Sequence, residues 1–205
     1  MRSCLVRFEG ENIRDSILVQ QGELSDILGT YRFNFYHWST LSSRNEAWHD
    51  IYSKSLKVVI SESPDGQVSM AFPETNQYLP GITLPLVMEK GELRFYIHGG
   101  QRVGSLNPGG RPTYYSLFSG IQINNSSDAY SASGAYGSYA SLAFQFYNEG
   151  DDVVARSFDN NSMEQYVTTG LMFFLAPLDE TTITSENILG MYGYIQDIYL
   201  TKVKD

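Results

Sequence analysis

Apolar and polar residues alternate with a period of two along most of this chain, the pattern of half-buried strands. Cys4, Val6 and Phe8 fall on one face, with Arg7 and Glu9 on the other. Tyr31, Phe33 and Phe35 alternate with Arg32 and Asn34. Leu56, Val58 and Ile60 alternate with Lys57 and Ser61, and Val68, Met70 and Phe72 follow across Ser69. Between the last two runs lies Ser63-Pro64-Asp65-Gly66. There proline presets φ and glycine accepts a positive φ, so a hairpin is predicted over 56–72. A second hairpin is predicted over 83–98, turning at Glu89-Lys90-Gly91-Glu92. A third is predicted over 139–158, turning at Asn148-Glu149-Gly150-Asp151. Leu171 to Leu175 reads as a solid apolar strand, and Tyr194 to Val203 as another. The sum is about ten to twelve short strands with turns at about 8–12-residue spacing, which points to a two-sheet sandwich, jelly roll or barrel; of these an all-β, two-sheet sandwich or jelly-roll-like fold is the one predicted. Phe33, Phe35, Val58, Ile60, Phe95, Ile97, Phe144, Phe146 and Phe173 are its expected core.

One short helix is expected. Ser43-Arg44-Asn45-Glu46 has capping-box form ahead of Ala47-Trp48-His49-Asp50-Ile51-Tyr52. Ser185 to Leu189 suits a single turn. Gly99 to Pro112, with its Gly-Gly and Asn-Pro-Gly-Gly, reads as one long loop inside a single domain spanning 1–205.

Composition narrows the partners. The chain has 205 residues, 42% hydrophobic and only 18% charged, with a net charge of −9. An acidic chain without clustered Lys and Arg offers no nucleic-acid footprint. No apolar run is long enough for a membrane span, and no signal-peptide pattern opens the chain. Cys4 is the single cysteine, so no internal disulfide is expected and folding in a reducing cytoplasm is implied.

Candidate chemistry is sparse. His37, His49 and Asp50 lie near Ser39, Ser42 and Ser43 in sequence. A hydrolase needs nucleophile, base and orienter to meet in space, and no Gly-x-Ser-x-Gly elbow is present. Paired acids for glycoside hydrolysis, for instance Glu92 with Glu149, are unmarked by any motif. Asp151-Asp152 and Asp159-Asn160-Asn161 suit solvated turns better than a Ca²⁺ site. Gly99-Gly100-Gln101-Arg102-Val103-Gly104 lacks the Lys-Ser/Thr of a phosphate loop. The expectation is a non-enzyme with no metal and no cofactor.

Recognition surfaces are better represented. Thr113 to Tyr147 sets Tyr114, Tyr115, Tyr130, Tyr136, Tyr139 and Tyr147 among Ser, Gly, Ala and Asn. Tyrosine on such a background gives wide contact area at low entropic cost. Tyr130, Tyr136 and Tyr139 are the candidate interface residues, since aromatic residues are enriched and charges depleted at interface centres. Trp38, Trp48 and Tyr36 are candidates for stacking on a sugar, against the favoured reading that Trp38 and Trp48 bury into the sandwich edge.

The C-terminal run Ile188-Leu189-Gly190-Met191-Tyr192-Gly193-Tyr194-Ile195-Gln196-Asp197-Ile198-Tyr199-Leu200 is similar to C-terminal stretches of some phage neck, tail and capsid-associated proteins. With the β-rich acidic chain and its Tyr/Ser/Gly-rich loops, it resembles a tailed-bacteriophage virion structural protein. The resemblance implies a non-enzymatic subunit of a viral particle, forming homo-oligomers and contacting other virion proteins, assembled in the host cytoplasm. The alternative expectation is a carbohydrate-binding, lectin-like sandwich module that takes a glycan.

Overall fold

The computed structural model describes residues 2–9, 14–41, 48–88, 93–108, 113–125, 128–137, 140–158 and 166–204. Strands dominate. The first two, β1 (Arg2–Glu9) and β2 (Arg14–Gln21), pair only with each other, as a separate two-stranded sheet. A single helical turn, α1 (Leu24–Ile27), leads into the long β3 (Gly29–Leu41) and β4 (Trp48–Glu62). Next come β5 (Val68–Ala71), β6 (Thr83–Met88), β7 (Arg94–His98) and β8 (Arg102–Leu106). Then follow β9 (Tyr115–Asn125), β10 (Asp128–Ala135), β11 (Ser141–Glu149) and β12 (Asp152–Phe158). The series ends with β13 (Tyr166–Ala176), β14 (Gly190–Gln196) and β15 (Tyr199–Lys202).

The expected sandwich or jelly roll is overturned. The main sheet closes on itself in the order β3-β15-β12-β11-β7-β6-β5-β4 and back to β3, an eight-stranded antiparallel barrel. The closing agent is β3, which pairs with β4 along one edge and β15 along the other. Closure removes the free edges that a sandwich would have to protect. Eight strands is also the size at which side chains alone fill the interior. Here the filling is largely aromatic: Phe146 meets Tyr31 and Phe95 edge-on, at 5.9 and 5.1 Å between ring centroids. Phe33 meets Phe72 at 5.3 Å. All nine residues expected in the core are buried.

A wing extends from the barrel. Beyond β15, the same edge of β3 pairs with β14, His37–Thr40 against Gly193–Gln196. The sheet then continues through β13 to β9, whose far edge carries both β8 and β10. Leu171 to Leu175 on β13 are buried residue after residue, as a strand covered on both faces requires.

Barrel and wing meet at a corner written into three adjacent strands. In β3 the buried set is Tyr31, Phe33 and Phe35, then after two positions that are not buried it resumes as the run Trp38, Ser39 and Thr40, with Trp38 and Thr40 on the other parity. In β4 it is Ile60 and Val58, then Ile51, with Tyr52, Ser53, Lys54 and Ser55 all exposed between. In the C-terminal strands it is Leu200 and Ile198, then Ile195 and Gly193. Each slip falls at the level of Tyr36. Ser53 and Asp197 absorb it with left-handed backbone, φ 49° and 51°. Such irregularities bend a strand and re-aim its side chains.

Two further sequence expectations are corrected. Of the helix expected at Ala47–Tyr52, the described part Trp48–Tyr52 is strand, because β4 already begins at Trp48. Trp48, Ile51 and Tyr52 are spaced like one face of a helix because a slipping strand breaks its own period. The segment 99–112 is not one loop, since β8 occupies Arg102–Leu106 and pairs with β9. The three predicted hairpins form. Gly66 turns the first at φ 83°, donating its N–H to the Ser63 carbonyl at 2.9 Å. The turn expected at Glu89–Glu92 lies outside the described residues.

Two buried phenols bond main-chain carbonyls that lie outside the strands. The Tyr31 hydroxyl donates to the Ile27 carbonyl at 2.8 Å, and the Tyr192 hydroxyl to the Tyr78 carbonyl at 2.8 Å. Burial pushes both phenols above their ordinary value. A raised folded-state value means neutral tyrosine is favoured in the fold. The stabilisation is fully present below the unfolded value of about 10 and lost as pH rises past it. In an alkaline titration, tyrosinate absorbance is expected to show a late class that ionises together with loss of far-UV circular dichroism. A single early class with the fold intact would contradict the burial.

Candidate functional site

The corner between barrel and wing carries a cluster of polar and aromatic side chains. The parity slip in β3 leaves Tyr36 and His37 both facing outward, where strict alternation would bury one of them. His37 stacks on Tyr52 across the β3–β4 pairing, with ring centroids 4.7 Å apart and planes within 5°. Tyr194 meets His37 edge-on at 5.3 Å, and Tyr36 meets Tyr52 at 6.1 Å. Tyr36 and Tyr52 remain 59% and 55% exposed.

The structure does bring His37 to Asp50, as a hydrolase triad would need. His37 Nε2 lies 2.9 Å from Asp50 Oδ1, and Nδ1 lies 3.3 Å from the Gln196 side-chain amide. A carboxylate can only accept, so Nε2–H donates to Asp50, while Nδ1 faces Gln196 Oε1. Among the described residues no serine hydroxyl bonds to Nδ1. Ser39 is directly opposite Asp50 in register, but its hydroxyl bonds the Tyr194 phenol. Burial raises Tyr194 above its ordinary value, and the Ser39 bond partly offsets this. The cluster is a polar buttress for the corner. Ser42 and Ser43 lie outside the described residues.

Beside this buttress, on the line of the slip, runs a groove of about 500 Å³. Its walls are Asn34 to Tyr36 on β3, Ser53 to Ser55 on β4, Arg156 and Ser157 on β12, and Asp197 to Tyr199. Both left-handed residues, Ser53 and Asp197, therefore line it. Non-glycine residues in that region cost of order 1–3 kcal/mol each and tend to gather where a site is built. Arg156 is held by three neighbours. Its Nε donates to the Tyr147 hydroxyl, its Nη2 lies 3.6 Å from Glu149, and its guanidinium sits 5.6 Å from the Tyr199 ring centroid. The Tyr147 bond, ahead of the Glu149 charge, holds the guanidinium above its ordinary value.

The residues expected from sequence distribute unevenly. Tyr36 lines the groove. Trp38 does not: it is 0% exposed, packed at 5.3 Å on Phe35 and 5.1 Å on Tyr78, and no sugar can reach it. Trp48 opens β4 opposite Leu41, twelve residues along the strand from Ile60 and away from the groove. Tyr130 sits on β10, the wing's outermost described strand. Tyr136 is half-buried against Phe174, with ring centroids 5.8 Å apart, and Tyr139 lies outside the described residues. Glu149 pairs with Arg156, and Glu92 lies outside the described residues. Asp152 pairs with Lys204 at 2.9 Å, and Asp159 to Asn161 lie outside the described residues. Among the described residues no cluster of three or more metal-ligating side chains forms, and no helix is long and apolar enough to cross a membrane.

Arg156, Asp197, Tyr199 and Ser53 escaped sequence reasoning. They come from three separate strands and one bend. The available signal was the Tyr36-His37 break in alternation, together with the four consecutive polar-faced residues Tyr52 to Ser55. Comparisons of the chain with protein-family models, with curated proteins and with solved structures give no match.

Proposed function

We propose that this chain is a non-enzymatic structural subunit of a viral particle, assembling with copies of itself and with neighbouring virion proteins in the host cytoplasm. The observation that carries this reading is the β1–β2 hairpin. It stands as its own sheet beside a closed barrel that needs no further strand. A lone two-stranded hairpin is marginal in water. Its rungs are nonetheless apolar in succession: Cys4 pairs with Val19, Leu5 with Leu18 and Val6 with Ile17. Consecutive apolar residues along a strand are a sequence pattern suited to strands covered on both sides. Val6 is 37% exposed, and Arg2, Cys4, Arg7 and Gln21 are exposed with it. Such an arm gains its stability from a neighbour, by adding strands or by lying across a partner's surface. The tyrosine-bearing β10 at the wing's rim offers a second contact edge.

The test is mass in solution and in the particle. The full chain is expected to form a stable oligomer, and removing residues 1–21 should yield a monomer with unchanged circular dichroism. Changing Tyr130, Tyr136 and Tyr139 to Ser should lower incorporation into particles. A full chain that stays monomeric at high concentration and is absent from purified particles would overturn the reading.

A further inference from the structure

We propose that the corner groove is a binding site for an acidic sugar, a pyranose unit carrying a carboxylate. The proposal goes beyond assembly and rests on residues the hairpin arm does not share. The chain carries a net charge of −9, yet this groove is lined by two cations, Lys54 and Arg156, against one acid, Asp197. Lys54 makes no ion pair among the described residues. Arg156 donates Nε to the Tyr147 hydroxyl and lies 3.6 Å from Glu149, with 55% of its side chain exposed toward solvent. A planar guanidinium matches a carboxylate better than a point-charge ammonium does.

The remaining walls fit the rest of a sugar. Tyr36 and Tyr199 are 59% and 42% exposed and present aromatic surface on which the C–H face of a pyranose can lie. Ser53 and Asp197 offer a hydroxyl and a carboxylate to ring hydroxyls. Both are fixed in left-handed backbone, φ 49° and 51°, one on each side of Tyr36. Matched backbone irregularity on two strands, converging on one exposed ring, is what pre-organised recognition looks like. A volume of about 500 Å³ accommodates one or two sugar units.

Ligand-observed NMR by saturation transfer tests this with sodium glucuronate as probe and methyl glucoside and inorganic phosphate as comparators. Glucuronate is expected to receive saturation on its ring protons, with methyl glucoside at least fivefold weaker. K54Q and Y36S should each weaken glucuronate binding at least fivefold while leaving the melting temperature and the solution mass of the chain unchanged. Both side chains are exposed, so folding should survive. Absence of transfer to glucuronate in the parent, or undiminished transfer in both variants, would overturn the site. Displacement of glucuronate by equimolar phosphate would overturn the sugar assignment by showing a plain anion site. Because mass is read separately, loss of oligomers and loss of sugar binding remain distinguishable.

Discussion

Gly170→Ala is expected to cripple the wing, with a loss at or beyond the top of the ~1–3 kcal/mol range for overpacking. Gly170 lies where β13 is flanked on both edges, by Gln122 of β9 and Gln196 of β14. A Cβ added there would stand 1.8 Å from the Ile195 carbonyl oxygen and 2.9 Å from its carbon. The obstacle is backbone of a paired neighbour, which cannot swing aside as a side chain would. Relief requires β13 and β14 to part, and β14 is the strand that joins the wing to β3. Gly190→Ala is the control, because nothing lies within 4 Å of its added Cβ. Chemical denaturation of the two variants measures the difference. A Gly170→Ala protein as stable as the parent would mean the strands are not this close.

Phe146→Ala should cost about 3–5 kcal/mol. Phe146 is 1% exposed and meets Tyr31 and Phe95 edge-on inside the barrel. Edge-to-face pairs add about 0.5–1.5 kcal/mol to what burial supplies. The surrounding wall is hydrogen-bonded all the way round, so it cannot collapse into the gap, and the cavity penalty stays near its upper end. Leu178→Ala, at a residue 48% exposed, should be close to neutral. A Phe146→Ala loss below about 1 kcal/mol would mean the ring does not fill the barrel as described.

Strands, hairpins and core were legible in the sequence because period two is a local property: Phe33 and Phe35, or Phe144 and Phe146, announce their face within a few residues. Closure was not. It depends on β3 accepting Leu200 opposite Phe33 across more than a hundred and fifty positions of chain, and nothing near either residue encodes that register. The helix expected at Ala47–Tyr52 failed for a related reason. At the corner the buried position steps from Ile51 to Val58, so the spacing of apolar residues there no longer reads as strand. The same slip assembled the groove. Arg156, Ser53 and Asp197 carry no motif, since what unites them is a shared level in three strands. Trp38 illustrates the converse: an aromatic residue in an aromatic-rich stretch suggested a stacking surface, but its parity after the slip turned it into the core.

The position of β15 in the ring bears on how the chain comes into being. Tyr199 to Lys202 form the stave between β3 and β12, so the barrel stays open until that segment has left the ribosome. Until then β3 and β12 each expose an unpaired edge and the aromatic lining faces water. Long-range pairing of this kind folds slowly. The nascent chain is therefore most at risk of mispairing with its neighbours in the interval before β15 arrives, and crowded synthesis on one message makes those neighbours copies of itself.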